Sequence, residues 1–173
     1  MRSLKRVLAI DPFSRGAGFA VLEGPDNLID WGLKTTRRAD NKKAVRAIES
    51  LIGRFRPDVL ALEDWKSAGS RRCSRVQKLL GRITANGRKH VRVRLISRRH
   101  LRAIGPLPRA ATKYGRARFL AERFPELQPF LPRFRKIWMP EDERTAVFDA
   151  AGFALACFPR TAPAADPPQQ TLA

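Results

Sequence analysis

Three carboxylates stand among apolar residues at distant points of this 173-residue chain. Asp11 ends an apolar run at 7–10, Glu63 ends another at 59–62, and Asp149 lies within TAVFDAAGFALA. Because ionised side chains are rarely buried without a partner, each acid needs an explanation. A cluster of such oxygens suits Mg²⁺ or Mn²⁺, which keep water and phosphate in their remaining coordination positions. The simpler alternatives are that Asp11 caps its own turn and that Asp149 pairs with an arginine.

The basic residues are concentrated in one block. The chain has 35 Lys and Arg against 16 Asp and Glu, a net charge of +19. Residues 65–121 contain no acid and 17 Lys or Arg. Such a block predicts a surface for phosphates, whose binding releases counterions, although a general arginine bias of the composition is the alternative. The candidate nucleic-acid contacts are Trp65, Arg71, Arg72, Arg75, Lys78, Arg82 and Arg116. Three acids beside a basic surface predict phosphodiester hydrolysis by a two-metal mechanism.

The apolar patterns predict the elements that position these residues. Their order is β-β-β-α-β-α-β-α-α, which is typical of an α/β fold with a mixed sheet. The expected segments are a hairpin at 6–22, strands at 27–33, 59–62 and 91–96, and helices at 42–55, 76–85, 112–124 and 141–158. The residues at 97–104 also allow a short helix, which this order leaves out. Sites in such sheets lie beyond the carboxyl ends of the strands. If the first and fourth strands are parallel neighbours, Asp11 and Glu63 come together there.

Four segments of the chain resemble the RuvC-type Holliday junction resolvases of the RNase H-like superfamily. They are AIDPFSRGAGFAVLE, PDVLALED, ATKYGRARFLAERFPEL and FDAAGFALA, in the family's order and with similar spacing between residues 6 and 158. The most specific parts are the strand end and Asp-Pro-x-Ser turn at 10–14, and the Asp-Ala-small-apolar pattern that runs from Asp149 within the last helix. The resemblance implies an RNase H-like five-stranded mixed sheet, with three antiparallel strands followed by parallel ones. It also implies a homodimer that uses four acids and two Mg²⁺ ions to nick opposed strands of a four-way junction.

The resemblance assigns roles to four residues. Asp11 would bridge both metals, Glu63 would be the ligand from the fourth strand, and Asp149 would be the helix ligand. Lys113 lies where the family has a basic residue near the scissile phosphate.

Two positions depart from the family pattern. Phe13 stands where the family often has glycine, and Ala146 stands where another Asp is usual. Asp142 is the substitute ligand that the chain offers, but seven residues of straight helix separate it from Asp149 by about 10 Å. Asp142 would therefore act from a frayed first turn, Glu143 would take its place, or three acids would suffice. The alternative for the acids at 141–143 is complementing the helix dipole.

The function that these observations predict is a metal-dependent, structure-selective endonuclease acting on branched DNA in recombination and repair. The alternatives are a YqgF-like nuclease for structured ribosomal RNA precursors and a non-catalytic nucleic-acid-binding protein. Trp65 is expected either to stack on an unpaired base or to anchor its loop over the core. Two cysteines are too few for a disulfide framework, which favours a reducing, cytoplasmic setting. We expect no membrane-spanning segment. Residues 1–158 are expected to form one domain, and 159–173 a disordered Pro/Ala-rich tail.

Overall fold

The computed structural model describes residues 5–105, 112–136 and 138–159. Its strands are β1 (Arg6–Phe13), β2 (Gly16–Glu23), β3 (Leu28–Thr35), β4 (Val59–Glu63) and β5 (Arg92–Ile96). Its helices are α1 (Asn41–Phe55), α2 (Ser74–Gly87), α3 (Arg98–Arg102), α4 (Lys113–Arg123) and α5 (Thr145–Leu155), with a 3-10 helix at Pro125–Phe130. No helix among these residues is long and apolar enough to span a bilayer. Residues 106–111 and 160–173, the latter being all but the first residue of the expected tail, lie outside the described residues.

The five strands form one mixed sheet in the order β3-β2-β1-β4-β5. β1, β2 and β3 pair antiparallel, whereas β4 lies parallel to both β1 and β5. Ile10 is opposite Leu62 in the β1–β4 register, so both strands end at the same edge. The predicted fold class, a mixed five-stranded sheet with three antiparallel strands and then parallel ones, flanked by helices, is confirmed.

Side chains alternate between two cores on opposite faces of the sheet. Along β1, Val7 and Ala9 pack with α4 and α5, whereas Leu8 and Ile10 pack with α1 and α2. β4 repeats this alternation. Because the side-chain period of a strand is two, the odd-numbered Asp11 and Glu63 belong to the face that α5 covers. The strand pattern therefore aims both carboxylates at the helix that carries Asp149.

Helix α5 is packed tightly on this face. Its residues from Ala146 to Ala154 are all buried. A Cβ on Gly18 of β2 would lie 2.3 to 2.6 Å from backbone atoms of Ala146 and Val147, so only glycine lets the helix come this close. Gly152, by contrast, faces α3, because its Cβ would lie 2.5 Å from Leu101.

The last helix begins later than the sequence pattern predicts. It starts at Thr145 instead of 141, because the Asp142 side chain ends the preceding loop in a turn. The Asp142 Oδ1 atom accepts a hydrogen bond from the Arg144 backbone N–H at 2.9 Å, and the Asp142 carbonyl accepts one from Thr145 N–H at 3.0 Å. The prediction that Asp142 lies on this helix, seven residues before Asp149 and on the same face, is therefore wrong. The helix also ends at Leu155 instead of 158.

Candidate active site

The three carboxylates singled out in the sequence come together at one edge of the sheet. Asp11 lies near the end of β1, Glu63 is the last residue of β4, and Asp149 lies in the first half of α5. All three are buried. We refer to them as the acid cluster.

One guanidinium group contacts the whole acid cluster. Arg98, the first residue of α3, donates from Nη1 to Asp149 Oδ2 at 2.8 Å and from Nη2 to Glu63 Oε2 at 2.9 Å. The same Nη2 lies 3.9 Å from Asp11 Oδ1. Three carboxylates from three elements thus surround a single cationic group, which defines a cation position between them.

A second guanidinium group bridges the two strand-end acids. Arg72, from the loop between β4 and α2, donates to Asp11 Oδ1 through Nη2 and to Glu63 Oε2 through Nε at 2.6 Å. Its Nη1 donates to the Pro12 carbonyl at 3.0 Å. Ser70 of the same loop donates from Oγ to Glu63 Oε1 at 2.8 Å. The loop after β4 therefore folds against the two strand-end acids.

Two further cations act on the carboxylate of the helix. Arg116 of α4 is buried, and its Nη2 lies 3.6 Å from Asp149 Oδ1. Lys113, one turn earlier, is exposed and forms an ion pair with Glu141, and its charge also lowers the pKa of Asp149. We call Arg72, Arg98 and Arg116 the inner arginines.

The electrostatics separate Asp11 from the other two acids. Burial raises the pKa of Asp11 to about 7, because desolvation and the neighbouring carboxylates outweigh the attraction of Arg72 and Arg98. Burial also acts to raise the pKa of Glu63, but its hydrogen bonds and ion pairs with Arg98 and Arg72 hold that pKa below its usual value. The same balance, with Arg98 contributing most on the lowering side, keeps the pKa of Asp149 low. Asp11 is therefore the member of the cluster that takes up a proton near neutral pH.

The formal charges of the cluster already cancel. Three carboxylates face the three inner arginines, and among the described residues no group of three or more potential ligands is arranged to hold a metal ion as it stands. The donor set is nevertheless the right kind for Mg²⁺ or Mn²⁺, since three carboxylates converge on one cation. The side chains thus match a divalent ion in their chemistry, and guanidinium groups occupy the space between them.

A crevice of about 330 Å³ opens onto Asp11. The basic side chains on its walls are Arg15, Arg72 and Lys113, and Ala146 also lines it. The acids of the loop before α5, Glu141, Asp142 and Glu143, line the same crevice. Asp142 does not join the acid cluster, because its carboxylate is held by Arg144 at 2.5 to 3.0 Å.

The proposed nucleic-acid residues divide into an outer and an inner group. Arg71, Lys78 and Arg82 are exposed on α2 and the loop before it. Arg75 is half-buried and donates to the Ser14 carbonyl at 2.6 Å. Arg72 and Arg116 point into the acid cluster. Part of the acid-free basic block therefore neutralises the site instead of facing solvent.

Trp65 is half-buried and packs on the core formed with α1 and α2. This packing is the loop-anchor arrangement, and Lys66 Nζ lies 5.9 Å from the centre of its indole ring.

Sequence reasoning missed Arg98. The signal was present, since Arg98 follows the end of β5, and β5 lies next to β4 at the edge where strand ends carry the site. One arginine among many in the run SRRHLR carries no distinguishing pattern, however. Only the parallel β4–β5 register selects it.

No family model and no curated protein matches this sequence. Solved structures do match the fold. The Thermus thermophilus RuvC in complex with a Holliday junction substrate has a TM-score of 0.60 at 15% identity, covering 88% of this chain and 91% of that one. A second Thermus thermophilus RuvC structure gives 0.58 at 20% identity, covering 87% and 92%. The yeast mitochondrial Holliday junction resolvase Ydc2 gives 0.52 at 12% identity, covering 89% and 79%. The chain has a RuvC-like fold, as the sequence motifs predicted.

Proposed function

We propose that this protein is an endonuclease that hydrolyses phosphodiesters of branched DNA, with the acid cluster as its active site. The observation that carries the proposal is the convergence of Asp11, Glu63 and Asp149 on a single cationic group beneath an open crevice. The fold shared with Holliday junction resolvases, one of them solved with its junction substrate, supports branched DNA as the substrate.

Asp11, Glu63 and Asp149 would hold the divalent ions. A bound ion would supply an activated water and stabilise the leaving oxygen. For an ion to enter, Arg98 must leave the position between the carboxylates, and a guanidinium released there remains close enough to meet a phosphate. Asp11 must also lose its proton, which its pKa of about 7 permits at neutral pH.

The crevice supplies contacts for the phosphate backbone. Arg15 pairs with Glu143 at 3.2 Å and Lys113 pairs with Glu141, and both pairs are exposed. Exposed ion pairs contribute little, so an entering phosphate competes readily for both cations. Arg15 and Lys113 would thereby position the backbone beside Asp11, which lines the same crevice.

The test compares cleavage of several nucleic-acid substrates by the unmodified protein and by a variant in which one carboxylate becomes an amide. Purified protein is incubated with a four-way DNA junction, linear duplex, single-stranded DNA and structured RNA, each in Mg²⁺, Mn²⁺ or chelator. We expect paired nicks in the junction, absent with chelator and lost in Asp11→Asn. Asp26→Asn is the matched control, because Asp26 is exposed and pairs with Arg123 away from the cluster. Cleavage that persists in Asp11→Asn would refute the acid cluster as the active site. Cleavage of RNA alone would refute branched DNA as the substrate.

Paired nicks need two active sites. We therefore propose a homodimer, which sedimentation of the protein on the junction would test.

A second candidate function is nucleic-acid binding without cleavage. It is favoured by the charge balance of the cluster, where the inner arginines already neutralise the acids, and by Ala146 at the position of a fourth acid. Tight, salt-sensitive junction binding with no cut in either metal would favour this candidate over the nuclease.

A further inference from the structure

An exposed aromatic and basic segment lies between the 3-10 helix and α5. Four large apolar side chains are exposed in the described chain, and three of them are here: Trp138 (78% exposed), Phe134 (68%) and Met139 (43%). Arg133, Arg135 and Lys136 are exposed beside them. We call residues 133–136, 138 and 139 the aromatic–basic segment.

The segment is partly ordered by its own contacts. Lys136 Nζ lies 5.3 Å from the centre of the Trp138 ring, and a turn joins Met139 N–H to the Lys136 carbonyl at 3.0 Å. Phe134 packs edge-to-face on Tyr114, with ring centroids 5.3 Å apart. These contacts hold the rings outward without burying them.

The segment lies beside the crevice of the acid cluster. Tyr114, which holds Phe134, follows Lys113 on the crevice wall. Met139 precedes, by one proline, the acids at 141–143, which also line the crevice. Both ends of the segment are thus joined, through Tyr114 and through Pro140, to residues that line the crevice.

We propose that the aromatic–basic segment binds unpaired bases of the nucleic acid, with Trp138 and Phe134 as stacking surfaces. Any base offers a face to an aromatic ring, and the adjacent cations meet the phosphates on either side. The net charge of +19 and the three cations within the segment favour a polyanion over a protein partner. The inference rests on the proposed nucleic-acid substrate and assigns the contact that distinguishes unpaired from paired strands.

The experiment measures affinity for a labelled single strand, a blunt duplex of the same length and a four-way junction with unpaired bases at its centre. Trp138→Ala and Phe134→Ala should each weaken single-strand and junction binding about 5- to 150-fold, with little change for duplex. Ile29→Ala is the matched control, because Ile29 is the other exposed large apolar residue, at 38%, on the edge strand β3. Quenching of tryptophan fluorescence by the single strand should fall in Trp138→Phe by the share that Trp138 contributes, whereas much of the affinity remains.

The contribution of the segment's charges is measured from the salt dependence of binding. Removing Arg135 and Lys136 together should lower the salt dependence of single-strand binding, log K against log salt, by about 1.4.

Two results would overturn the inference. One is single-strand affinity in Trp138→Ala equal to that of the unmodified protein. The other is a change of oligomeric state in Trp138→Ala with unchanged binding, which would make the segment an interface between copies. The nuclease proposal is tested separately. If Trp138→Ala weakens binding but the unmodified protein cleaves no substrate, the stacking surface is supported and the nuclease proposal is refuted. If cleavage depends on Asp11 but Trp138→Ala binds normally, the nuclease proposal is supported and the stacking surface is refuted.

Discussion

Replacing Arg98 by methionine should turn the acid cluster into a stronger metal site. Arg98 donates to Glu63 and Asp149 at 2.9 and 2.8 Å and occupies the position between the three carboxylates. Methionine keeps much of the apolar length of the side chain, which crosses the ring of Phe153 with the guanidinium carbon 5.7 Å from its centre. It removes the positive charge that a divalent ion must displace.

The magnitude follows from the hydrogen bonds that displacement breaks. A hydrogen bond to a charged group contributes about 1.5–3 kcal/mol net. Releasing Arg98 into solvent therefore costs at least about that amount, which weakens metal binding in the unmodified protein about 10- to 150-fold. Arg98→Met should bind Mn²⁺ more tightly by this factor. In chelator the variant should be less stable, by about 3–5 kcal/mol, because two buried carboxylates lose a partner.

The assay is titration calorimetry with Mn²⁺, together with thermal unfolding with and without the ion. At an Mn²⁺ concentration of about 100 times the variant's Kd, binding adds about 2.7 kcal/mol, which raises Tm by roughly 5–11 °C for a domain of this size. Arg99→Met removes the same charge from an exposed position of α3 and should leave both quantities unchanged. Equal Mn²⁺ affinity in Arg98→Met and the unmodified protein would refute the idea that this guanidinium occupies a metal position.

Three further outcomes are expected. Mn²⁺ affinity should rise about tenfold per pH unit up to about pH 7 and level off above it, because a proton on Asp11, whose pKa is about 7, competes with the metal below that pH. Ala146→Asp should strengthen Mn²⁺ binding at least about tenfold, because residue 146 lines the crevice one helical turn before Asp149. Gly18→Ala should lower the stability by at least about 1–3 kcal/mol in a denaturant titration, because its Cβ would overlap the backbone of α5.

Each of these outcomes has a matched comparison. If Asp11→Asn shows the same rise of Mn²⁺ affinity with pH as the unmodified protein, Asp11 is not the group whose proton competes with the metal. Ala146→Asn has the shape of the aspartate without its charge, so equal affinities in the two variants would remove the argument for a fourth ligand. Gly53→Ala lies in the interior of α1 with open space around its Cβ, and it should stabilise by about 0.5–1 kcal/mol. If Gly18→Ala behaves like Gly53→Ala, the close helix–sheet approach is wrong.

The sheet and the acid cluster were predictable because both follow from periodic patterns. The apolar runs at 7–10 and 59–62 each end on an acid, and the helix between them permits a parallel pairing that brings the two acids together. Asp149 was predictable because an acid inside an apolar helix needs a partner. The helices were found within a few residues for the same reason, and Thr112 caps α4 as expected, its Oγ1 accepting from Gly115 N–H at 3.0 Å.

What the sequence could not supply is the direction in which each basic side chain points. Arg71 and Arg72 are adjacent and chemically identical, yet Arg71 is exposed and Arg72 bridges Asp11 and Glu63. That difference arises from the path of the loop after β4, which has no periodic pattern. The start of α5 was missed for a related reason, since Asp142 suits a turn as well as a helix N-terminus, and its bond to the Arg144 backbone decides between them.

The inner arginines meet a requirement of folding that is separate from any requirement of the proposed catalysis. The acid cluster becomes buried as α5 packs on β1 and β2, where Gly18 lets the helix backbone come close to the sheet. Buried carboxylates without cations would oppose that step, and Arg72, Arg98 and Arg116 remove the opposition. The same ion pairs then raise the cost of admitting a divalent ion. A nuclease built this way is expected to be stable without metal and to need substrate phosphates, which attract the released guanidinium groups, before it binds metal tightly. Mn²⁺ affinity measured with and without a four-way junction, in Asp11→Asn and in the unmodified protein, therefore tests whether the arginines only complete the fold or also couple metal binding to DNA.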